Sequence, residues 1–309
     1  VPVAFPPTQL ITTSMALAEL CARLAHEPFV TIDTEFMRER TYWPELCVIQ
    51  LAGTNDVAVV DALAALSREQ HPDLVVLSGD ITQRATADQF RAARTFIDRL
   101  GVPFLAIPGN HDIPLFDLSA RLFNPYARFR RAFGTALEPM HDAHDLLVLC
   151  VNTTRWYRHV NGEVSMAQID RVAAALMQAS PRQLRVVVVH QPVAVMRAGD
   201  VHDRLRGYER ALQRWSAAGG DIVMGGHIHL PYVKLLPSLP RPMCAVQAGT
   251  SVSSRIRDGM PNSVNIVRCG TDAANGCSLI EQWDFAAQRN AFVRSTVTEV
   301  MPVRQTREA

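Results

Sequence analysis

The stretch LVVLSGD (residues 74–80), a helical segment, and then VPFLAIPGNHD (residues 102–112) decide the fold. Each apolar run has strand length and ends at a glycine turn that carries carboxylate, amide or imidazole side chains. Apolar runs alternating with helical segments predict a parallel sheet with crossover helices. The carboxyl ends of such strands are where α/β proteins build their sites. Asp80, Asn110, His111 and Asp112 are therefore expected along one edge.

The same alternation continues downstream. An Arg- and aromatic-rich excursion, DLSARLFNPYARFRRAFG (117–134), leads to the strand LLVLCVNTT (146–154). A helix starting near Ser165, the strand RVVVVHQP (185–192) and the helix YERALQRWSAAG (208–219) follow, with Gly219 or Gly220 at its C-terminal cap. DIVMGGHIH (221–229) and CAVQAGTS (244–251) read as strands. SVNIVRC (263–269) and SLIEQWDF (278–285) read as outer antiparallel strands, followed by a frayed end. His190, His227 and His229 thus join the strand-end set.

Upstream the pattern differs. MALAELCARLA (15–25) has helical periodicity, with Thr13 or Ser14 as its N-cap. FVTIDTEF (29–36) reads as a short strand carrying Asp33 and Glu35. LCVIQLAG (46–53) and VAVVDAL (57–63), separated by turn residues, complete an expected antiparallel meander, and ALAALSREQHP (62–72) reads as a helix stopped by Pro72.

With 48% apolar and 20% charged residues, the 309-residue chain has the composition of a soluble globular protein. Its 31 basic residues balance 30 acidic ones, so no global field draws it to nucleic acid or to an anionic membrane. The six cysteines lack zinc-knuckle spacing and are too dilute for a disulfide framework, which fits a reducing cytoplasm. Neither a signal peptide nor a membrane-spanning run is expected.

The motifs GD at Asp80, GNHD at Asn110 to Asp112, a lone His190 after a hydrophobic strand and GHIH at His227 and His229 occur in that order. Over residues 61–285 this set resembles the calcineurin-like metallophosphoesterase family, in particular its cyclic-nucleotide phosphodiesterase-like branch. AGTSVSSRIRDGMPNSVNIV (248–267) is similar to that branch's closing strands. The resemblance implies a four-layer αββα sandwich that hydrolyses phosphomonoesters or phosphodiesters at a two-metal centre. It makes Asp80 the carboxylate bridging both ions, Asn110, His190 and His227 the remaining ligands of the second ion, and His229 a ligand of the first. His111 matches the general acid, and Asp112 the residue that orients its imidazole. Arg255 and Arg257 are candidate contacts to the substrate phosphate. Carboxylate, imidazole and amide oxygen together suit manganese, iron or zinc.

One family element is missing: no Asp-x-His motif precedes Asp80. Instead, residues 10–61 resemble the amino-terminal part of ribonuclease D, with Asp33 and Glu35 in its first metal-binding motif, and that resemblance also breaks off. A fusion near residues 57–66 is expected, with 1–60 a ribonuclease D-like fragment packed on a phosphoesterase domain at 61–309. Three outcomes are open for the vacated ligand place. Asp61 fills it, with Leu63 where the histidine stood; Asp33 and Glu35 fill it; or nothing does. The expectation is a retained second metal and a weak or empty first one. The functional expectation is a metal-dependent phosphoesterase of reduced activity acting on a small phosphate ester, cyclic nucleotides among the candidates. One alternative is an inactive chimera that binds one metal or a phosphate-bearing partner. Another is nucleic-acid binding through the ribonuclease D-like segment, helped by Arg38, Arg40, Tyr42 and Trp43, which the neutral charge balance disfavours.

Overall fold

A computed structural model describes residues 31–37, 45–52, 55–115, 117–158, 160–253, 256–257, 259–269 and 277–301, together with the helical Met15 and Ala22. The chain divides into two compact units, Val1–Asp61 and Ala62–Ala309.

In the first unit, strand β1 (Thr31–Met37) pairs antiparallel with β2 (Glu45–Ala52), placing Asp33 opposite Gln50 and Glu35 opposite Val48. These two strands form a sheet of their own. The expected third strand is absent. Residues 57–63 belong instead to helix α1 (Asn55–Gln70), which runs without interruption through the segment read as a separate helix. No glycine or proline separates VAVVDAL from the alanine- and leucine-rich run after it, so the β-branched preference of three valines yields to the continuous helix. Val59, Ala62 and Leu66 are buried at helical spacing.

The second unit is the expected sandwich. Strand β3 (Val75–Leu77) pairs parallel with β4 (Phe104–Ala106) across helix α2 (Ala87–Leu100). Helix α2 opens on Thr86, whose hydroxyl accepts from Gln89 N, and closes on Gly101 in the left-handed region. The excursion forms two short helices, α3 (Leu118–Phe123) and α4 (Ala127–Phe133). Strands β5 (Met140–Asp142) and β6 (Leu146–Cys150), helix α5 (Met166–Gln178), strand β7 (Leu184–Val188), helix α6 (Tyr208–Ala217) and strand β8 (Ile222–Gly225) follow. Helix α5 starts at Ser165 with a capping box to Gln168. Strands β9 (Tyr232–Leu236) and β10 (Met243–Gln247) complete a sheet of order β5-β6-β7-β8-β10-β9. Strands β11 (Ser263–Cys269), β12 (Ser278–Ala286) and β13 (Ala291–Val300) form an antiparallel sheet. Strand β13 is held along its length by β12, and the last residues, expected to fray, lie outside the described residues.

Side-chain alternation assigns the layers. From the six-stranded sheet, Leu147, Leu149, Val187 and Val223 pack with Ile169, Leu176, Leu212 and Trp215 of α5 and α6. Val148, Cys150, Val186, Val188 and Val246 point the other way and meet Leu105, Ile280 and Val300 of the second strand layer. On the far side, Phe90 and Phe129 of α2 and α4 pack with Ala106 of β4. The order is helix, sheet, sheet, helix. Strands buried on both faces read as unbroken apolar runs, which is why RVVVV carries no polar residue after Arg185. Among the described residues, no helix is long and apolar enough to cross a membrane.

Candidate metal centre

The site begins at the end of β3. Gly79 has φ +98, and a Cβ there would lie 2.4 Å from His190 Nδ1 and 2.8 Å from the Gly109 backbone. A glycine is required, because it tolerates the left-handed conformation and lets the His190 ring press against the turn. Asp80 (φ 53), His227 (φ 75) and His229 (φ 56) also adopt left-handed backbone. Non-glycine residues there cost about 1–3 kcal/mol each and cluster at functional sites. Beyond β4, the chain enters a short 3-10 turn, Asn110–Asp112.

The ligand atoms of Asp80, His190 and His227 all lie within 4.8 Å of one another. Asp80 Oδ1 accepts from the His111 backbone N–H at 2.9 Å and sits 3.3 Å from His190 Nε2. His190 is fully buried. Its Nδ1 lies 2.8 Å from the Ser78 carbonyl, and its Nε2 lies 3.1 Å from Asn110 Oδ1. A carbonyl can only accept, so Nδ1 carries the proton and Nε2 faces two oxygens. His229 Nδ1 is 2.6 Å from Thr250 Oγ1. His227 and His190 stack edge to face with ring centres 5.1 Å apart.

The electrostatics follow from burial and neighbours. Burial alone would raise Asp80, but the His190 imidazole and the His111 N–H outweigh it and hold the carboxyl well below its usual range. For His190 burial opposes the charge, yet the Asp80 carboxylate raises the imidazole above its ordinary value. Burial, helped by the neighbouring His190, pushes His227 down to about 3. Burial and the Asp80 charge lift Asp112 to about 6, against the donors around it.

These donors fit a divalent cation. Asp80 Oδ2 and His227 Nδ1 are buried with no hydrogen-bond partner, and His190 Nε2 is turned toward two acceptor oxygens. Such a cluster is satisfied by a cation at its centre, and its carboxylate and imidazole donors suit a borderline divalent metal.

The expected residues are not all where the sequence put them. Asp80, Asn110 and His190 converge, with His227 beside them. His111, His227 and His229 line a cleft of about 480 Å³. Asp112 does not orient the His111 imidazole. Its Oδ1 accepts from Thr82 N and Oγ1, its Oδ2 accepts from Ile81 N and Gly109 N, and the ring's Nδ1 instead lies 3.2 Å from the Gln83 carbonyl. Asp112 ties the loop after β3 to the loop after β4. Asp61 lies exposed within helix α1, so it does not sit at a strand end as expected. The strand before Asp80, β3, is hydrogen-bonded to β4 in a two-stranded sheet, and β1 is hydrogen-bonded to β2 in another. The side chains of Asp33 and Glu35, and Arg38, Arg40, Tyr42, Trp43 and Arg255, lie outside the described residues. Arg257 lines the cleft but donates to the Ile228 carbonyl at 3.0 Å and to Asp200 Oδ1 at 2.6 Å. It serves as a structural clamp.

Asp200 and Asp203, on a 3-10 turn at Ala198–Asp203, also line the cleft and were missed. The one available signal was AGDVHD, three ionisable residues in the loop after a strand-end histidine.

A strand-end cluster of carboxylate, amide and imidazoles on an αββα sandwich defines a metal-binding hydrolase class. Residues 53–231, more than half of the chain, match the model of the calcineurin-like phosphoesterase family. The chain belongs to that family, and the chemistry of the family is hydrolysis of phosphoric esters with divalent metals. A dimetal phosphatase from Danio rerio has the same fold, with a TM-score of 0.58 at 14% identity over 80% of this chain and 89% of that one.

Residues 8–80 match a 3'-5' exonuclease model. Ribonuclease D of Acidiphilium cryptum is 51% identical over 114 residues, 37% of this chain and 27% of that protein. Ribonuclease D of Granulibacter bethesdensis is 38% identical over 170 residues, 55% of this chain and 40% of that protein. The chain thus spans less than half the length of these curated relatives. The expectation that nucleic acid is disfavoured as a partner rested on net charge, and it finds no support beside an exonuclease match.

Proposed function

We propose that residues 62–309 form a metal-dependent phosphoesterase that cleaves a small phosphodiester or phosphomonoester, cyclic nucleotides included, and that residues 1–61 are an incomplete ribonuclease D-like head. The observation that carries this reading is the triad of Asp80, His190 and His227, whose ligand atoms lie within 4.8 Å of one another and which includes two buried polar atoms without partners. Asp80, Asn110, His190 and His227 would hold one ion, and His229 would contribute to a second position that lacks its Asp-x-His ligands. A bound divalent ion supplies an acidified water and polarises a phosphoryl oxygen.

The chain's own residues do the remaining work. Asp80 is kept anionic by His190 and by the His111 N–H. Asn110 Oδ1 and His190 Nε2 stand 3.1 Å apart, so that both would present a lone pair to the same ion. His111 lines the cleft with its Nδ1–H donating to the Gln83 carbonyl, so the neutral ring has a lone pair at Nε2 and only the imidazolium can give a proton to the leaving oxygen from that edge. General acids of this kind contribute about 10²–10⁴-fold. With the first position short of ligands, turnover is expected to be weak and tightly bound metal to approach one ion per chain.

Hydrolysis of bis-p-nitrophenyl phosphate and of cyclic nucleotides by manganese- or zinc-loaded protein tests this. Metal-dependent turnover that falls at least tenfold in His111→Ala is the expected result. Absence of metal-dependent turnover, with one ion still bound, would establish the inactive alternative.

A second reading follows from the exonuclease match over residues 8–80: the head contacts nucleic acid. A salt-dependent gel shift of single-stranded RNA by the full chain is its signature. Identical mobility of the RNA with and without the protein at low salt would end that reading.

A further inference from the structure

The turn Ala198–Asp203 forms one wall of the cleft, facing the loop that holds His227, Ile228 and His229. It is fastened there. Asp200 is 2% exposed, and its Oδ1 accepts from Arg257 Nη2. The Nη1 of the same guanidinium donates to the Ile228 carbonyl, between the two histidines. A planar guanidinium holding a carboxylate and a carbonyl at once fixes two loops in register. At the end of the fastened turn, Asp203 Oδ1 stands 3.8 Å from His227 Nε2. A shift of about 1 Å closes that gap to hydrogen-bonding range.

The two edges of the His227 ring are thus unlike. Nε2 faces a carboxylate, which can only accept. Nδ1 is buried with no hydrogen-bond partner. A neutral imidazole has one N–H and one lone pair, so a carboxylate on the Nε2 side assigns the proton to Nε2 and the lone pair to Nδ1. We propose that Asp203 is a positioning residue for His227, accepting the Nε2 proton so that Nδ1 is presented as the ligand to a divalent cation at Asp80.

The proposal rests on the metal-centre reading above and deepens it. Metal-ligating histidines are commonly fixed in this way through their other ring nitrogen, which sets the tautomer and raises ligand basicity. His190 is fixed by the opposite edge: its Nδ1 is held by the Ser78 carbonyl and its Nε2 faces Asp80. The two imidazoles therefore approach the cluster through different nitrogens. His202 Nε2 lies 3.3 Å from the same Asp203 Oδ1, from a side chain that is 75% exposed.

The test is zinc affinity, measured by competition with a chromophoric chelator, for the full-length wild type and for Asp203→Ala, Asp203→Asn and His227→Ala. A long-range ¹H–¹⁵N spectrum of the zinc-loaded wild type accompanies it. The expected result is a 10–100-fold loss of zinc affinity in Asp203→Ala, a smaller loss in Asp203→Asn, and an Nε2–H signature for His227. Melting of the metal-free proteins checks that each variant is folded, and Asp203→Asn carries the comparison should the alanine variant not fold. If His227→Ala binds zinc as the wild type does, the metal-centre reading fails together with this one. If His227→Ala is impaired while both Asp203 variants keep wild-type affinity, or if the proton lies on Nδ1, the role of Asp203 alone is overturned.

Discussion

Asp80 Oδ1 lies 3.3 Å from His190 Nε2, although the two residues leave different sheets of the sandwich. The contact depends on close backbone approach at the turns after β3 and β4. A Cβ on Gly109 would fall 2.0 Å from Asp80 N and 2.1 Å from Asp80 Oδ1. Gly109→Ala is expected to destabilise the fold by about 1–3 kcal/mol through overpacking and to weaken zinc binding at least tenfold. Thermal melting and chelator competition measure both, and wild-type affinity in the variant would show that the approach is dispensable.

Asp112 accepts four hydrogen bonds from Gly109, Ile81 and Thr82. In Asp112→Asn, either orientation of the amide turns its NH₂ group toward a backbone N–H. Each buried donor left without an acceptor costs about 1–3 kcal/mol. Urea unfolding of the metal-free protein is expected to show a loss of that size, and an unchanged midpoint would contradict the tie between the two loops.

The sequence offers Arg257 as a candidate phosphate contact, but its guanidinium is engaged by Asp200 and Ile228. Arg257→Lys keeps the charge and loses the two-pronged geometry. The clamp predicts a lower melting temperature and weaker zinc binding, with KM for bis-p-nitrophenyl phosphate within about twofold of wild type. A large rise in KM at unchanged melting temperature would restore the phosphate role.

Glu281 on β12 is buried, accepting from Trp283 Nε1 and Arg294 Nη1 at 3.0 Å, with Arg268 Nε at 3.2 Å. Burial would raise this carboxyl, but the bonds from Arg268, Trp283 and Arg294 outweigh it and set it below its ordinary 4.5. A depressed carboxylate stabilises the fold above its unfolded pKa, and that contribution disappears as pH falls through the folded value. Glu281→Gln is therefore expected to cost about 1–3 kcal/mol at pH 7, with the difference from wild type shrinking as pH drops below 4.5. Melting curves across that range decide it. A difference that persists unchanged in acid would mean that packing, and not charge, is lost.

Much of this was legible in the residues. Apolar runs of strand length ending in glycine turns are local signals, and they located β3, β4, β7 and β8 together with Asp80, Asn110, His190 and His227. The helix at residues 55–70 was not legible, because VAVVDAL satisfies a strand by composition and a helix by context. Only continuity with the following turn of helix separates the two. Strand β13, by contrast, is rich in valine and threonine, so its strand preference was legible in its own residues.

The sequence by itself determined the strand-end residue types and their order along the chain, because strand period and turn chemistry act over a few residues, while the αββα class was implied by the family resemblance those motifs carry. Tertiary structure alone decided which nitrogen His190 turns toward Asp80, that Asp112 and Arg257 fasten loops, and that Asp203 stands 3.8 Å from His227. Those relations are set by groups far apart in the chain that meet within about 4 Å, where burial and hydrogen-bond satisfaction outweigh local preference.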